Sequence, residues 1–129
     1  HGDEIEGTIT GLMDKYSNVY YSIDAVVSRL PFPPADALHL SSTEEAYVST
    51  IKQNFDAILN RAVSDWKAKI EKYPDRFTWG TDRGGFSWHY GEEVSRLFEE
   101  LSRAFIARLD PSVQEKYAYK NAEQLLNMR

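Results

Sequence analysis

Asp82 is the side chain best placed to do chemistry in this chain. It follows Phe77-Thr78-Trp79-Gly80-Thr81, and a run of aromatic and β-branched residues suits a short buried strand. Gly80 lets the backbone approach a neighbour closely. A carboxylate at the C-terminal tip of a strand stands where parallel α/β folds act on their ligands. The plain alternative is an Asp that caps a turn. The residues after it are Arg83-Gly84-Gly85-Phe86-Ser87-Trp88-His89-Tyr90-Gly91. Arg83, Trp88 and His89 on a glycine-rich loop are the kinds of side chain that line small-ligand pockets. Arg83 suits a bidentate contact to a substrate carboxylate, or equally a salt bridge on the rim. The loop aromatics equally suit packing beneath the loop.

The chemistry open to the chain is bounded by composition. There are no cysteines, so disulfides and thiolate metal sites are excluded. A metal would have to use the three histidines, His1, His39 and His89, with carboxylates or main-chain oxygens. The net charge of −5 argues against a sequence-independent nucleic-acid binder, which carries a basic face. No apolar run approaches a membrane span, and no secretory signal pattern opens the sequence. The expectation is a cytoplasmic protein with a small-molecule substrate, no nucleic acid and no membrane. With 129 residues, 42% of them hydrophobic, the chain suits one unit with a real core.

The elements that must position Asp82 follow from periodicity. Ile5, Ile9, Leu12, Met13 and Tyr16 make one apolar face of a helix over 4–16. Val19 to Asp24 is a strand candidate, apolar enough to be covered on both faces. Pro31, Pro33 and Pro34 make 31–42 a loop, and it contains His39. Ser42 as N-cap with Glu45 three residues on reads as a capping box. The helix it opens runs to Lys72, with Tyr47, Val48, Ile51, Phe55, Ile58, Leu59, Ala62, Val63, Trp66 and Ile70 as its buried stripe. Pro74 stops it. A third helix spans 92–108. Asp110-Pro111 restarts a short helix, and 121–127 forms a terminal one with Leu125 and Leu126 inward. Helices alternating with strands imply parallel pairing through right-handed crossovers. Two strands make a marginal sheet, so a larger sheet or barrel is expected around them.

Four segments carry a resemblance. Leu12-Met13-Asp14-Lys15-Tyr16-Ser17-Asn18-Val19-Tyr20 is similar to the helix and N-V-Y strand preceding the seventh strand in amidohydrolase-related metal-dependent enzymes. Tyr73-Pro74-Asp75-Arg76, followed by Gly80-Thr81-Asp82, resembles the eighth strand of that family. Leu109 to Lys116 and Lys120-Asn121-Ala122-Glu123-Gln124-Leu125-Leu126 resemble its C-terminal tail, and His1-Gly2 the His-Gly at the tip of its sixth strand. The resemblance implies the C-terminal portion of a (β/α)8 TIM-like barrel, an α/β fold, with strands 7 and 8 plus flanking helices. Residues 1–129 would be one unit of a larger barrel domain, completed by further chain or by an oligomeric partner.

The resemblance also implies a divalent metal, zinc in many members, held by Asp82 and His1. Asp82 would take a proton from metal-bound water, and His1 would bind metal or polarise the substrate carbonyl. The implied reaction is hydrolysis of an amide, ester or lactone, or decarboxylation of a small acid by a lyase branch. The family's H-x-H motif and the ligands from its fourth and fifth strands are not in these residues. The other reading is a non-catalytic, mostly helical interaction module.

Overall fold

The computed structural model describes residues 6–23, 25–26, 43–81 and 91–127. Helix α1 is Glu6–Lys15, strand β1 Tyr21–Ser22, helix α2 Glu44–Lys72, strand β2 Phe77–Thr78 and helix α3 Glu92–Ile106. Helix α4 is Pro111–Glu115, followed by a π-helical turn, Lys116–Lys120, and helix α5, Asn121–Asn127.

The long helix α2 is the spine. Its N-cap is Thr43, whose hydroxyl accepts from the Ala46 N–H at 3.3 Å, one residue later than the expected Ser42, which lies outside the described residues. Glu44 and Glu45 occupy its first turn and Lys69 and Lys72 its last, matching the helix dipole at both ends. The expected stripe is the buried one, with Phe55 and Val63 partly covered at its margin. It receives α3 on one side, where Tyr47 meets Phe98 edge-on at 6.4 Å. It receives the strands on the other through a ring cluster. Tyr21 stacks on Trp66 at 6.4 Å, Phe77 meets Trp66 edge-on at 6.3 Å, and Tyr21 meets Phe77 edge-on at 6.2 Å. Offset and edge contacts of this kind add to simple burial.

The strands pair in parallel, Tyr21 opposite Phe77 and Ser22 opposite Thr78. The expected C-terminal portion of a TIM-like (β/α)8 barrel is not what forms around them. Helices take 74% of the described residues, and the sheet is two strands of two residues each. The outer edge of β2 is already closed. The Trp79 N–H donates to the Tyr117 carbonyl at 2.9 Å, and the Asn121 amide donates to the Phe77 carbonyl at 2.8 Å. A further strand would need those same main-chain groups. β1 also lacks the cover of a barrel strand, since Ser22 is exposed and Tyr21 half-buried. The described chain is a mostly helical unit built around a short parallel ribbon.

Two further expectations hold only in part. In α5, Leu125 is half-buried but Leu126 is 66% exposed, and the buried residue is Asn121. In α1, Met13 is buried but Leu12 and Tyr16 are 37% and 43% exposed, because the core meets only one edge of this helix. The third helix ends at Ile106. Beyond it the Lys67 ammonium takes the Arg108 carbonyl at 2.5 Å, supplying a cation where helix carbonyls lack partners.

Candidate functional site

The C-terminal end of the ribbon is built by residues distant in sequence. Phe77 and Thr78 are buried on both faces of β2, and Ile23, Ala25 and Val26 are buried beyond β1. Gly80 continues from β2 against Ser22. A Cβ on Gly80 would stand 2.6 Å from the Ser22 hydroxyl oxygen, closer than real contacts allow. The close approach expected of Gly80 is therefore to the neighbouring strand.

Tyr117, 1% exposed, spans both strand ends from the π-helical turn. Its hydroxyl donates to the Ile23 carbonyl at 2.6 Å, and its own carbonyl accepts from Trp79 at 2.9 Å. Its ring is seated edge-on against Phe105 at 5.9 Å. A π-turn adds a residue to the helical repeat, and this one leads from Tyr117 directly into Asn121. The Asn121 amide gives one N–H to Phe77 and the other to the Pro74 carbonyl, both at 2.8 Å.

The Tyr73-Pro74-Asp75-Arg76 segment is the junction of all these parts. The Tyr73 hydroxyl donates to Asp14 at 2.6 Å, tying α1 to the end of α2. Asp75 accepts from Lys116 at 2.7 Å. Arg76 donates to the Tyr16 and Val19 carbonyls at 3.1 and 3.0 Å and lies over the Tyr20 ring. Each residue of the Tyr73-Pro74-Asp75-Arg76 part of the motif that resembled an enzyme strand thus has a structural partner. Arg76 fixes the path into β1.

The electrostatics of the described residues are those of an ordinary scaffold. The Asp14 carboxyl is held below its usual value by the Tyr73 hydroxyl and then by Lys72. Burial pushes Tyr47 up to about 12. Burial lowers Lys69, whose ammonium lies over the Trp66 ring at 5.5 Å.

The sequence-predicted site residues Asp82, His1, Arg83, Trp88 and His89 lie outside the described residues, as do Asp24 and His39. Among the described residues there is no group of three or more His, Cys, Asp or Glu able to hold a metal ion. Nor, among them, is any helix long and apolar enough to cross a membrane. Sequence reasoning missed Tyr117 and Asn121. The signal available was the Asn of the Lys120-Asn121-Ala122 tail, a polar residue at the start of a helix whose role only a folded contact reveals.

No family model, curated protein or solved structure matches the chain.

Proposed function

We propose that the chain contributes to a metal-dependent enzyme of amidohydrolase type acting on a small carboxylic acid, amide, ester or lactone, by hydrolysis or related decarboxylation. The observation that supports this is the parallel pairing of β1 with β2. It sets side by side two strand ends from which the sequence runs on into Asp24 and, through Thr81, into Asp82. Parallel units gather ligands at their strand C-termini.

In this reading Asp82 and His1 hold the metal, and Asp82 also accepts a proton from water. Arg83, Trp88 and His89 contact the substrate. A divalent ion, zinc by the resemblance, supplies a water of lowered pKa when bound. The described residues do not themselves fit such an ion, so Asp82 and His1 carry the metal assignment within this chain.

The test is the metal content of the intact natural gene product, measured by elemental mass spectrometry after exhaustive dialysis, beside its Asp82→Asn variant. About one divalent ion per chain is expected, with most of it lost in the variant. A metal-free wild type rejects the proposal.

A second reading, a helical interaction module without catalysis, is favoured by the two-residue strands and the exposed Leu12 and Tyr16. It requires that Asp82→Asn leave metal content and every binding property unchanged.

A further inference from the structure

We propose that the free edge of β1 is the docking site for a second copy of this chain, β1 running antiparallel to its copy across a two-fold axis, whether or not the chain binds a metal. The two edges of the ribbon are unlike. The outer edge of β2 is closed by the Tyr117 carbonyl and the Asn121 amide. On β1, Tyr21 and Ile23 turn their N–H groups toward the other strand, to the Arg76 and Thr78 carbonyls, both at 2.9 Å. Main-chain groups alternate in direction along a strand, so those of Tyr20 and Ser22 point away from β2. Among the described residues the N–H and C=O of Tyr20 and Ser22 have no hydrogen-bond partner, and Ser22 is exposed. Val19-Tyr20-Tyr21-Ser22 also carries none of the charges or prolines that keep an edge from pairing.

The charge pattern of this edge is complementary to itself. Tyr20 and Ser22 each offer one donor and one acceptor. With Tyr21 facing its own copy on the axis, Tyr20 stands opposite Ser22 of the other copy, and every outward N–H meets a C=O. Side-chain size agrees with that register. Arg76 lies over the Tyr20 ring and Gly80 lies against Ser22, so Tyr20 and Ser22 share a face that is large at one end and small at the other. Reversing the copy sets the large end over the small one. Tyr21 is on the opposite face, stacked on Trp66. Assembly closes at two copies, because an isologous contact uses the same surface on both and the outer edge of β2 is occupied.

The experiment is sedimentation velocity on the natural gene product over about a thousandfold range of concentration, with hydrogen exchange read at the Ser22 amide. Wild type is expected to pass from monomer to dimer as concentration rises, and the Ser22 amide to exchange more slowly in the dimer. Ser22→Pro removes the outward N–H and leaves the bonds to β2 intact. It is expected to raise the dissociation constant about thirtyfold, two hydrogen bonds being lost per dimer. Ser22→Lys keeps the N–H but places a charge on the edge. It is expected to weaken the dimer in the same direction, and it decides the matter if circular dichroism shows Ser22→Pro unfolded. Asn60→Lys, on the exposed face of α2, is expected to dimerise like wild type.

A wild type that stays monomeric throughout overturns the proposal and leaves the edge to an extended peptide of another protein. A dimer that Ser22→Pro and Ser22→Lys do not weaken, or a Ser22 amide that exchanges alike in monomer and dimer, overturns it by placing the contact elsewhere. Growth beyond two copies overturns the closed two-fold register.

Discussion

Asn121 should be among the most sensitive positions in the tail. Its side chain is 3% exposed and donates two bonds of 2.8 Å, to the buried Phe77 carbonyl and the partly buried Pro74 carbonyl. Asn121→Ala removes both. At about 1 kcal/mol net per bond, plus the penalty of leaving a buried carbonyl unpaired, the loss is about 2–4 kcal/mol. For a domain of this size that corresponds to a fall of about 10 °C in melting temperature. Asn121→Asp is the sharper change. It places an acceptor against two carbonyls, so the acid is stable there only when protonated, and its folded-state pKa must rise. The sign follows from linkage. The folded variant binds more protons than the unfolded one, so its stability falls as pH rises through the raised value.

At about pH 7, Asn121→Asp is therefore expected to be less stable than Asn121→Ala, and at about pH 4 the gap should close. Urea unfolding followed by tryptophan fluorescence measures both, since Trp66 packs directly on Phe77. Equal stability of Asn121→Asp and wild type at neutral pH would refute the double-donor role. So would an Asn121→Ala variant within about 0.5 kcal/mol of wild type, the scatter of ordinary surface changes.

Other perturbations follow from the same packing. The Asp14 carboxyl is held below its ordinary value by the Tyr73 hydroxyl and then by Lys72. Its contribution is therefore present above about pH 4 and lost as pH falls through the lowered value; the melting-temperature difference between wild type and Asp14→Asn should shrink below that pH. Trp66 is fully buried, and its indole N–H has no hydrogen-bond partner among the described residues. Trp66→Ala should cost about 3–5 kcal/mol, whereas Trp66→Phe deletes an unpaired donor and should unfold at a urea concentration much closer to wild type. Gly80→Ala puts a methyl 2.6 Å from the Ser22 oxygen. That oxygen is the rotatable end of an exposed side chain, so the loss should be at most about 1 kcal/mol, below the range for crowding a packed core, and should vanish in a Ser22→Ala background; additive losses in the double-mutant cycle would exclude the contact.

The helices were legible because each carries its own instructions. The Tyr47-to-Ile70 stripe, the Pro74 stop and the Asp110-Pro111 start are local patterns, and the structure places them as read. The strands were legible only as a tendency. Val19 to Asp24 has the composition of a longer strand, yet β1 is two residues, because strand length is set by how much edge a partner offers. Composition alone also could not show that the outer edge of β2 is occupied by Tyr117 and Asn121, and that occupancy is what separates a short ribbon from a barrel wall.

The sequence by itself determined the helical spine, the apolar stripe that receives the strands, and the order that makes those strands parallel. These depend on periodicity and on residues a few positions apart, where propensity and capping act directly. Tertiary structure alone decided that Tyr73, Asp75 and Arg76 serve as a junction, and that a tyrosine and an asparagine from the tail close the ribbon. Those contacts join residues 38 to 94 positions apart, and a hydrogen bond across such a distance leaves no pattern in the local sequence. It exists only once the hydrophobic faces have met and excluded the water that would otherwise satisfy the same groups.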